Sequence, residues 1–393
     1  MIDKPIDQIS EDGLIKLQEN QVMESKTIEY KEKYSVDSYE DKLEFLADVS
    51  SFANASGGDI IYGIIADQAT SAPKEIKGLK ITEPDKIKNK LEHIIRSGIE
   101  PRIPSVSIQP IPLNNSRTVI IIRVQKSWIG PHGVKTKHRH YEFYSRHSTG
   151  KFSMDISEMR TAFTLADTLA EKIRRFRDQR VADIIAGETP VVLIEDAKII
   201  LHLVPYIAFT PGEAYDLESL AINKTNFLPM SGRRWFHRFN LDGYLAYDSA
   251  HDEISKSYLQ FFKKGIIESV DAYILNIDAD KNILGIYFEQ ELINFLTKFI
   301  EIFKSLEVTP PVDLFLTLTG VKGRKMLTDK AARQGYYDIY DIDRDVIFAP
   351  DVEIKSYDEP PDKILRPCFD AIWNACGYPR SFNYDNKGNW KKK

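Results

Sequence analysis

Apolar positions along the first half of the chain follow helical and strand periods in turn. Ile9, Leu14, Ile15 and Leu17, set among acidic and polar residues, predict one short amphipathic helix within residues 1–23. In DKLEFLADVSSFANAS, the residues Phe45, Leu46, Val49, Phe52 and Ala53 keep the i, i+1, i+4, i+7, i+8 spacing of one helical face. Asn54 to Gly58 end that helix, with Gly57-Gly58 supplying the left-handed backbone. The next run, DIIYGIIAD, is apolar and β-branched and reads as one buried strand ending at Asp67. A second helix is predicted from Pro84 to Ser97, and strands at SRTVIIIRVQKS and HYEFYSR. From Ser157 to about Ala186 the chain has no Pro or Gly, which predicts one long helix with Ser157 as its cap-like start.

GETP at 187–190 breaks that helix. After it come PVVLIEDAKIILHLVPYIAF, a hairpin-like SYLQFFKKGIIESVDAYILNI, a helix EQELINFLTKFIEIFKSL, a strand VDLFLTLTGV and a last helix around LRPCFDAIWNACG. The expected organisation is an N-terminal domain over 1–156, a long basic linking helix over 157–189, and a C-terminal α+β domain over 190–393 in a sensor or regulatory role. The fold class is α+β throughout.

Composition narrows the setting. At 42% hydrophobic and 28% charged residues over 393, the chain is of ordinary soluble type and long enough for two cores. No run approaches a membrane span, and MIDKPIDQISEDG has neither the basic cap nor the apolar centre of a signal peptide, so a cytoplasmic location and no membrane partner are expected. Cys368 and Cys376 lack a further Cys or His pair at metal-ligand spacing and read as buried free thiols. The net charge of −5 conceals an asymmetry: residues 101–180 hold 15 Lys and Arg against 6 Asp and Glu, while the first hundred are acidic on balance. A basic stripe beside an acidic pocket suits an enzyme acting on a polyanion; a solvated charged face is the plainer reading.

Candidate chemistry starts at ESKTIEYK, residues 24–31. On a strand, Glu29 and Lys31 project from one face because side chains alternate. A carboxylate holding a hard divalent cation beside an ammonium that steadies a phosphate is a division of labour used in phosphodiester cleavage. Glu24 falls on the opposite face of an unbroken strand and joins them only if a turn or helix end intervenes, with QENQVM as the candidate helix end. Asp67 supplies a third carboxylate if its strand pairs beside residues 28–31. Against this stand a surface ion pair of little worth and an aspartate serving ordinary turn chemistry.

Four ordered segments, ESKTIEYK, SSFANASGGDIIYGIIAD, VIIIRVQKSWIGPH and FYSRHSTGKFSMDISEMR, together resemble the AlbA-like domain of Schlafen proteins over about residues 15–165. The resemblance implies a mixed sheet with helices. In nuclease-active Schlafens the pattern is Glu, four residues, Glu, one residue, Lys, and an Asp at the end of the strand after the glycines; it falls here on Glu24, Glu29, Lys31 and Asp67. It implies a metal-dependent endoribonuclease cleaving structured RNA such as tRNA, with Mg²⁺ or Mn²⁺ on Glu24, Glu29 and Asp67 and Lys31 orienting the phosphate, in a stress or anti-phage defence role. Many bacterial members are described only as DNA-binding or ATP-binding; the competing reading is therefore a non-catalytic DNA- or RNA-binding protein or transcriptional regulator, and a weaker one a nucleotide-binding sensor. No GxxxxGK[ST] and no GxGxxG after a strand supports the last. Animal Schlafens pair two related lobes and carry a zinc site; with one AlbA-like copy and no such ligand set, a homodimer is expected to complete the groove.

Other segments carry weaker signals. HGVKTKHRHYEFYSR interleaves bases with aromatics, as a nucleic-acid contact does, and nominates Lys135, Lys137, His138, Arg139, His140, Tyr144 and Arg146, with RNA favoured over DNA. A polar hairpin with one buried aromatic face fits the same residues. Arg174, Arg175, Arg177 and Arg180 suit phosphate contact or salt bridges between domains, and SGRRWFHRF is a third basic-aromatic spot. DADKNILGIYFE has oxygen residues at EF-hand positions but Ile283 where the glycine belongs, and reads as a β-hairpin turn.

Overall fold

A computed structural model describes the chain except residues 1, 3, 138, 139, 149, 211–214, 223–226, 233, 249–253, 328–339, 386 and 392–393, together with the side chains of 219 and 220. The chain divides into two compact units, Met1–Thr168 and Leu169–Lys393. Among the described residues no helix is long and apolar enough to cross a membrane.

The first unit runs α1 (Glu11–Glu19), β1 (Ile28–Lys31), α2 (Tyr39–Asn54), β2 (Gly58–Tyr62), β3 (Ile64–Ala66), β4 (Pro73–Ile76), α3 (Pro84–Gly98), β5 (Ile99–Glu100), β6 (Val106–Pro112), β7 (Thr118–Val124), β8 (Gly133–Lys135), β9 (Tyr141–His147) and β10 (Gly150–Ser153). One sheet has the order β1-β2-β7-β6, with β1 parallel to β2 and the other pairs antiparallel; a second has the order β10-β9-β8-β5. The β2–β7 register sets Asp59 opposite Arg123, whose Nε bonds the carboxylate at 2.8 Å in the dry interior. Two cores flank the first sheet. Phe45, Val49 and Phe52 of α2 pack with Leu91 of α3 and Ile60, Ile120 and Ile122 on one side. Leu14 and Leu17 of α1 pack with Ile28, Tyr30, Ile61 and Ile121 on the other.

Ser38 caps α2 by accepting from the Asp41 N–H at 2.9 Å while Asp41 bonds back, a reciprocal capping box that fixes where the helix starts. The run DIIYGIIAD is not one strand. Gly63, at φ +100°, breaks it, and β3 leaves the first sheet to pair with β4. Helix α4 (Ile156–Ile185) starts one residue before Ser157: the start is held by Asp155, whose carboxylate accepts from the Glu158 N–H at 2.8 Å, while Glu158 accepts from the Asp155 N–H at 2.9 Å.

The second unit begins within α4 and continues β11 (Lys198–Pro205), α5 (Glu218–Ile222), β12 (Trp235–Phe239), β13 (Gly243–Asp248), β14 (Ser257–Phe262), β15 (Ile267–Asp271), β16 (Ile283–Leu284), α6 (Gly285–Ser305), β17 (Val312–Thr319), β18 (Met326–Leu327), β19 (Val346–Phe348), β20 (Val352–Ile354) and α7 (Pro361–Ala375). Its antiparallel sheet has the order β12-β13-β14-β15-β11-β17-β19, with β20 also on β17. Phe288, Leu292, Phe295, Leu296, Phe299 and Phe303 make the apolar stripe of α6 that covers one face with α7. On the other face Val181 and Ile184 of α4 pack against Ile200, Leu245, Tyr258 and Val270. The later part of α4 is therefore built into the second unit. Its arginines are spent inside that unit: Arg174 and Arg177 pair with Asp351, Arg175 with Glu171, and Arg180 with Glu268 and Asp183.

DADKNILGIYFE is not a β-hairpin turn. Asp278 accepts from the Asn282 N–H at 3.1 Å, the chain passes through β16, which pairs in parallel with β18, and α6 starts at Gly285. Cys368 and Cys376 are buried free thiols, and burial pushes each up to about 12.

Candidate functional site

Alternation along β1 sends Ile28 and Tyr30 into one core, so Glu29 and Lys31 face the other way. Glu24 does not lie on a continuous strand with them. Helix α1 ends at Glu19, and a tight turn follows Glu24 in which the Ser25 N–H donates to the Ile28 carbonyl at 3.0 Å. The reversal carries the Glu24 carboxylate back along β1, where it accepts the Tyr30 N–H at 3.0 Å on the edge that β2 leaves open. Burial pushes the Glu24 carboxyl above the usual glutamate range, and the charge of Glu29 adds to the shift.

Glu29 is held from two sides. Lys31 Nζ stands 3.3 Å from its Oε1, and Arg146 Nη1 on β9 donates to its Oε2 at 2.8 Å. Burial alone raises a carboxyl; here the charges of Lys31 and Arg146 overcome it and keep Glu29 below the usual range. The Arg146 guanidinium is 3% exposed and lies 3.7 Å over the Phe52 ring of α2.

Asp48 is a site residue that sequence reasoning missed. Glu44, Asp48 and Phe52 repeat every four residues down one face of α2, and that spacing within a helix otherwise read for its apolar positions was the available signal. Asp48 is 2% exposed, with Lys31 at 2.5 Å on one oxygen and Lys151 of β10 at 2.6 Å on the other. Burial, then the charge of Glu29, raises the Asp48 carboxyl despite both lysines, and Asp48 with Glu29 raises Lys31 against the effect of its own burial. Asn54 ties the C-terminal end of α2 to the same strands: its amide donates to the carbonyls of His132 at 3.0 Å and Tyr144 at 2.8 Å. Asn54 to Gly58 thus serve helix termination and strand docking.

Asp67 is placed apart. It opens the β3–β4 turn, where its Oδ1 accepts from the N–H groups of Ala69 at 2.9 Å and Thr70 at 3.0 Å. Those two amides, Thr70's first, hold its carboxyl below the usual range. The turn itself adjoins Glu24, whose N–H donates to the Ser71 carbonyl at 2.8 Å. Among the described residues of the basic-aromatic segment, Arg146 is the one ion-paired to Glu29. Tyr144 bonds Glu142 and stands half-buried, Lys137 lies 3.8 Å over the Tyr39 ring, and Lys135 and His140 are exposed. His138 and Arg139 lie outside the described residues.

A divalent cation on Glu24, Glu29 and Asp67 does not fit this arrangement. Both Glu29 oxygens face cations, Asp67 serves its own turn, and among the described residues no group of three or more His, Cys, Asp or Glu side chains is set to hold a metal ion. What the centre does offer is an array, buried at Asp48 and Arg146 and open at Glu44, in which Lys31, Lys151 and Arg146 alternate with Glu24, Glu29, Asp48 and Glu44.

Comparison with known proteins agrees with the first unit's motifs. Residues 24–155 match the family described as Schlafen, AlbA_2. The N-terminal domain of a RecG-related protein from Nitrosomonas europaea is 15% identical, with a TM-score of 0.25, over 34% of this chain and 81% of that one. The DIP2311 protein from Corynebacterium diphtheriae is 16% identical, with a TM-score of 0.25, over 37% of this chain and 30% of that one. No curated protein matches the chain.

Proposed function

We propose that this chain, which carries a Schlafen AlbA_2 domain over residues 24–155, acts on nucleic acid and cleaves phosphodiester bonds in structured RNA such as tRNA. The observation that carries the reading is the convergence of Glu24, Glu29, Lys31 and Arg146 from a turn and two sheets onto one centre. Glu24, made more basic by burial, takes the proton from an attacking water as that oxygen bonds to phosphorus; the P–O bond to the leaving ribose oxygen breaks, and that oxygen takes a proton from solvent. Lys31 sets its charge against that building on the scissile phosphate. Arg146, too buried to meet substrate, fixes the Glu29 carboxylate, and Glu29 in turn steadies Lys31. No step runs through a metal ion. The exposed bases Lys135, Lys137 and His140 contact the backbone, and a homodimer widens the groove.

A second reading has its own support. Because both oxygens of Glu29 are ion-paired, the centre also suits a nucleic-acid-binding module that cuts nothing. The two separate on incubating the purified chain with labelled tRNA, single-stranded DNA and duplex DNA, in EDTA and with Mg²⁺ or Mn²⁺, beside Glu29→Gln. Cleavage of tRNA that Glu29→Gln abolishes is expected. Binding without cleavage leaves the second reading, and cleavage equal in the variant removes the site from the reaction.

A further inference from the structure

Lys31 and Lys151 come from different sheets yet share one buried counter-ion. Each takes one oxygen of Asp48, at 2.5 and 2.6 Å, so the two ammonium groups are drawn together over a carboxylate that is 2% exposed. A second carboxylate meets the pair. Glu44, one helical turn before Asp48, bonds Lys151 and stands 4.0 Å from Lys31 through the same oxygen, with its side chain 63% exposed. The lysine side chains are 24% and 19% exposed, open enough for an anion to reach.

The two acids are unequal in what they risk by leaving. Asp48 is itself buried and holds both ammonium groups, whereas Glu44 stands in water and gives up an interaction of the exposed kind. Swinging Glu44 out removes one negative charge from the array that also holds Glu29, Arg146 and Glu24, and one phosphodiester monoanion restores it. We propose that Lys31 and Lys151 form a phosphate-binding pair held converged by Asp48, and that Glu44 occupies the phosphate position in the free protein and is displaced by the substrate backbone. This rests on the reading that the domain acts on nucleic acid, and it adds a binding residue, Lys151, and an internal competitor, Glu44.

The test measures binding of fluorescent single-stranded RNA by anisotropy across salt concentrations, in EDTA, with the full chain and its variants. Glu44→Gln is expected to bind about fivefold more tightly than the parent, the size of an exposed ion pair, and to steepen the dependence of log K on log salt by about 0.7, as one added single-strand phosphate contact does. Lys151→Met is expected to bind about tenfold more weakly, and Glu44→Gln with Lys151→Met to be no tighter than Lys151→Met alone. Glu40→Gln removes the same charge earlier on α2 and is expected to change affinity less than about twofold. The proposal is overturned if Glu44→Gln gains nothing, if Glu40→Gln gains as much, or if the gain survives without Lys151. Should no variant bind RNA or DNA, the nucleic-acid reading fails, and calorimetry with inorganic phosphate decides the pair by itself: tighter phosphate binding by Glu44→Gln upholds it for a free phosphate group, and equal or absent binding overturns it.

Discussion

Arg146 on β9 and Glu29 on β1 are 117 residues apart in the chain and bonded at 2.8 Å, which joins the two sheets of the first unit across the acidic centre. Removing Arg146 leaves Glu29 with Lys31 alone, and removing Glu29 leaves the Arg146 guanidinium buried without its ion-pair partner. Arg146→Met should destabilise the first unit by about 3 kcal/mol. The double change with Glu29→Gln should cost less than the sum of the singles, with a coupling of about 1–3 kcal/mol. Urea unfolding of the four proteins measures both, and strict additivity would show that the pair contributes no joint stability.

Glu24 and Glu29 are neighbours whose surroundings drive their carboxyls in opposite directions, up by burial for Glu24 and down by Lys31 and Arg146 for Glu29. As a base, Glu24 works only when ionised, so RNA cleavage should rise with pH along a limb centred above the ordinary glutamate range. Glu24→Gln should lower the rate by about 10²–10⁴ and flatten that limb. A limb that persists in Glu24→Gln assigns the base elsewhere.

Asp67 tests the ligand set that the motif order suggests. Asparagine keeps an oxygen able to accept the Ala69 and Thr70 amides, so Asp67→Asn should preserve the turn and leave cleavage within about twofold of the parent. A loss as deep as that of Glu29→Gln would bring Asp67 into the centre and revive the three-carboxylate metal site.

How far the sequence carries differs between these residues for a physical reason. Period and capping signals act locally, and they place α2, α3, β7, β9, α6 and α7 close to where they form. Glu29 and Lys31 share a face by alternation alone. Glu24 reaches them through a turn at Ser25–Ile28 with no glycine or proline to announce it, and Asp67 is led away by a single left-handed glycine inside an apolar run. Asp48, Lys151 and Arg146 meet Lys31 and Glu29 only through packing between sheets, which no local spacing encodes. In the second unit, Arg180 reads as one of a basic cluster suited to phosphate contact or salt bridges between domains until the sheet beneath it supplies Glu268.

His132 links the acid stability of the first unit to one buried ring. Its Nδ1 donates to the Pro101 carbonyl at 2.6 Å, its Nε2 is buried without a partner, and burial lowers the ring to about 4. The unfolded chain binds this proton near pH 6.5 and the folded one only near 4, so stability is full above 6.5 and falls as the pH drops through that window. The loss from this group approaches about 3 kcal/mol. Denaturant unfolding from pH 7 to 4 should show it in the parent and not in His132→Gln; equal slopes would place the acid sensitivity in other groups.

Glu268 gives the second unit the opposite kind of proton linkage. It is wholly buried on β15, receives Arg180 through Nε at 2.8 Å and Nη2 at 2.9 Å, bonds the Tyr258 hydroxyl at 2.8 Å, and lies 2.9 Å from His202 Nε2. Burial opposes its ionisation, but the bonds from Arg180 and His202 win and hold it at about 2. A carboxyl lowered in this way contributes stability that is present above the unfolded value near 4.5 and lost as the pH falls toward 2, a span worth about 3 kcal/mol. Arg180→Leu removes the bidentate partner and leaves the carboxylate buried with only the tyrosine and histidine, so it should cost about 3–5 kcal/mol at neutral pH. The replacement Arg180→Leu with Glu268→Leu removes both charges and should recover much of that loss. Measured by unfolding at pH 7, a double variant no more stable than Arg180→Leu would mean that the guanidinium stem packed on the sheet, and not its charge, secures α4.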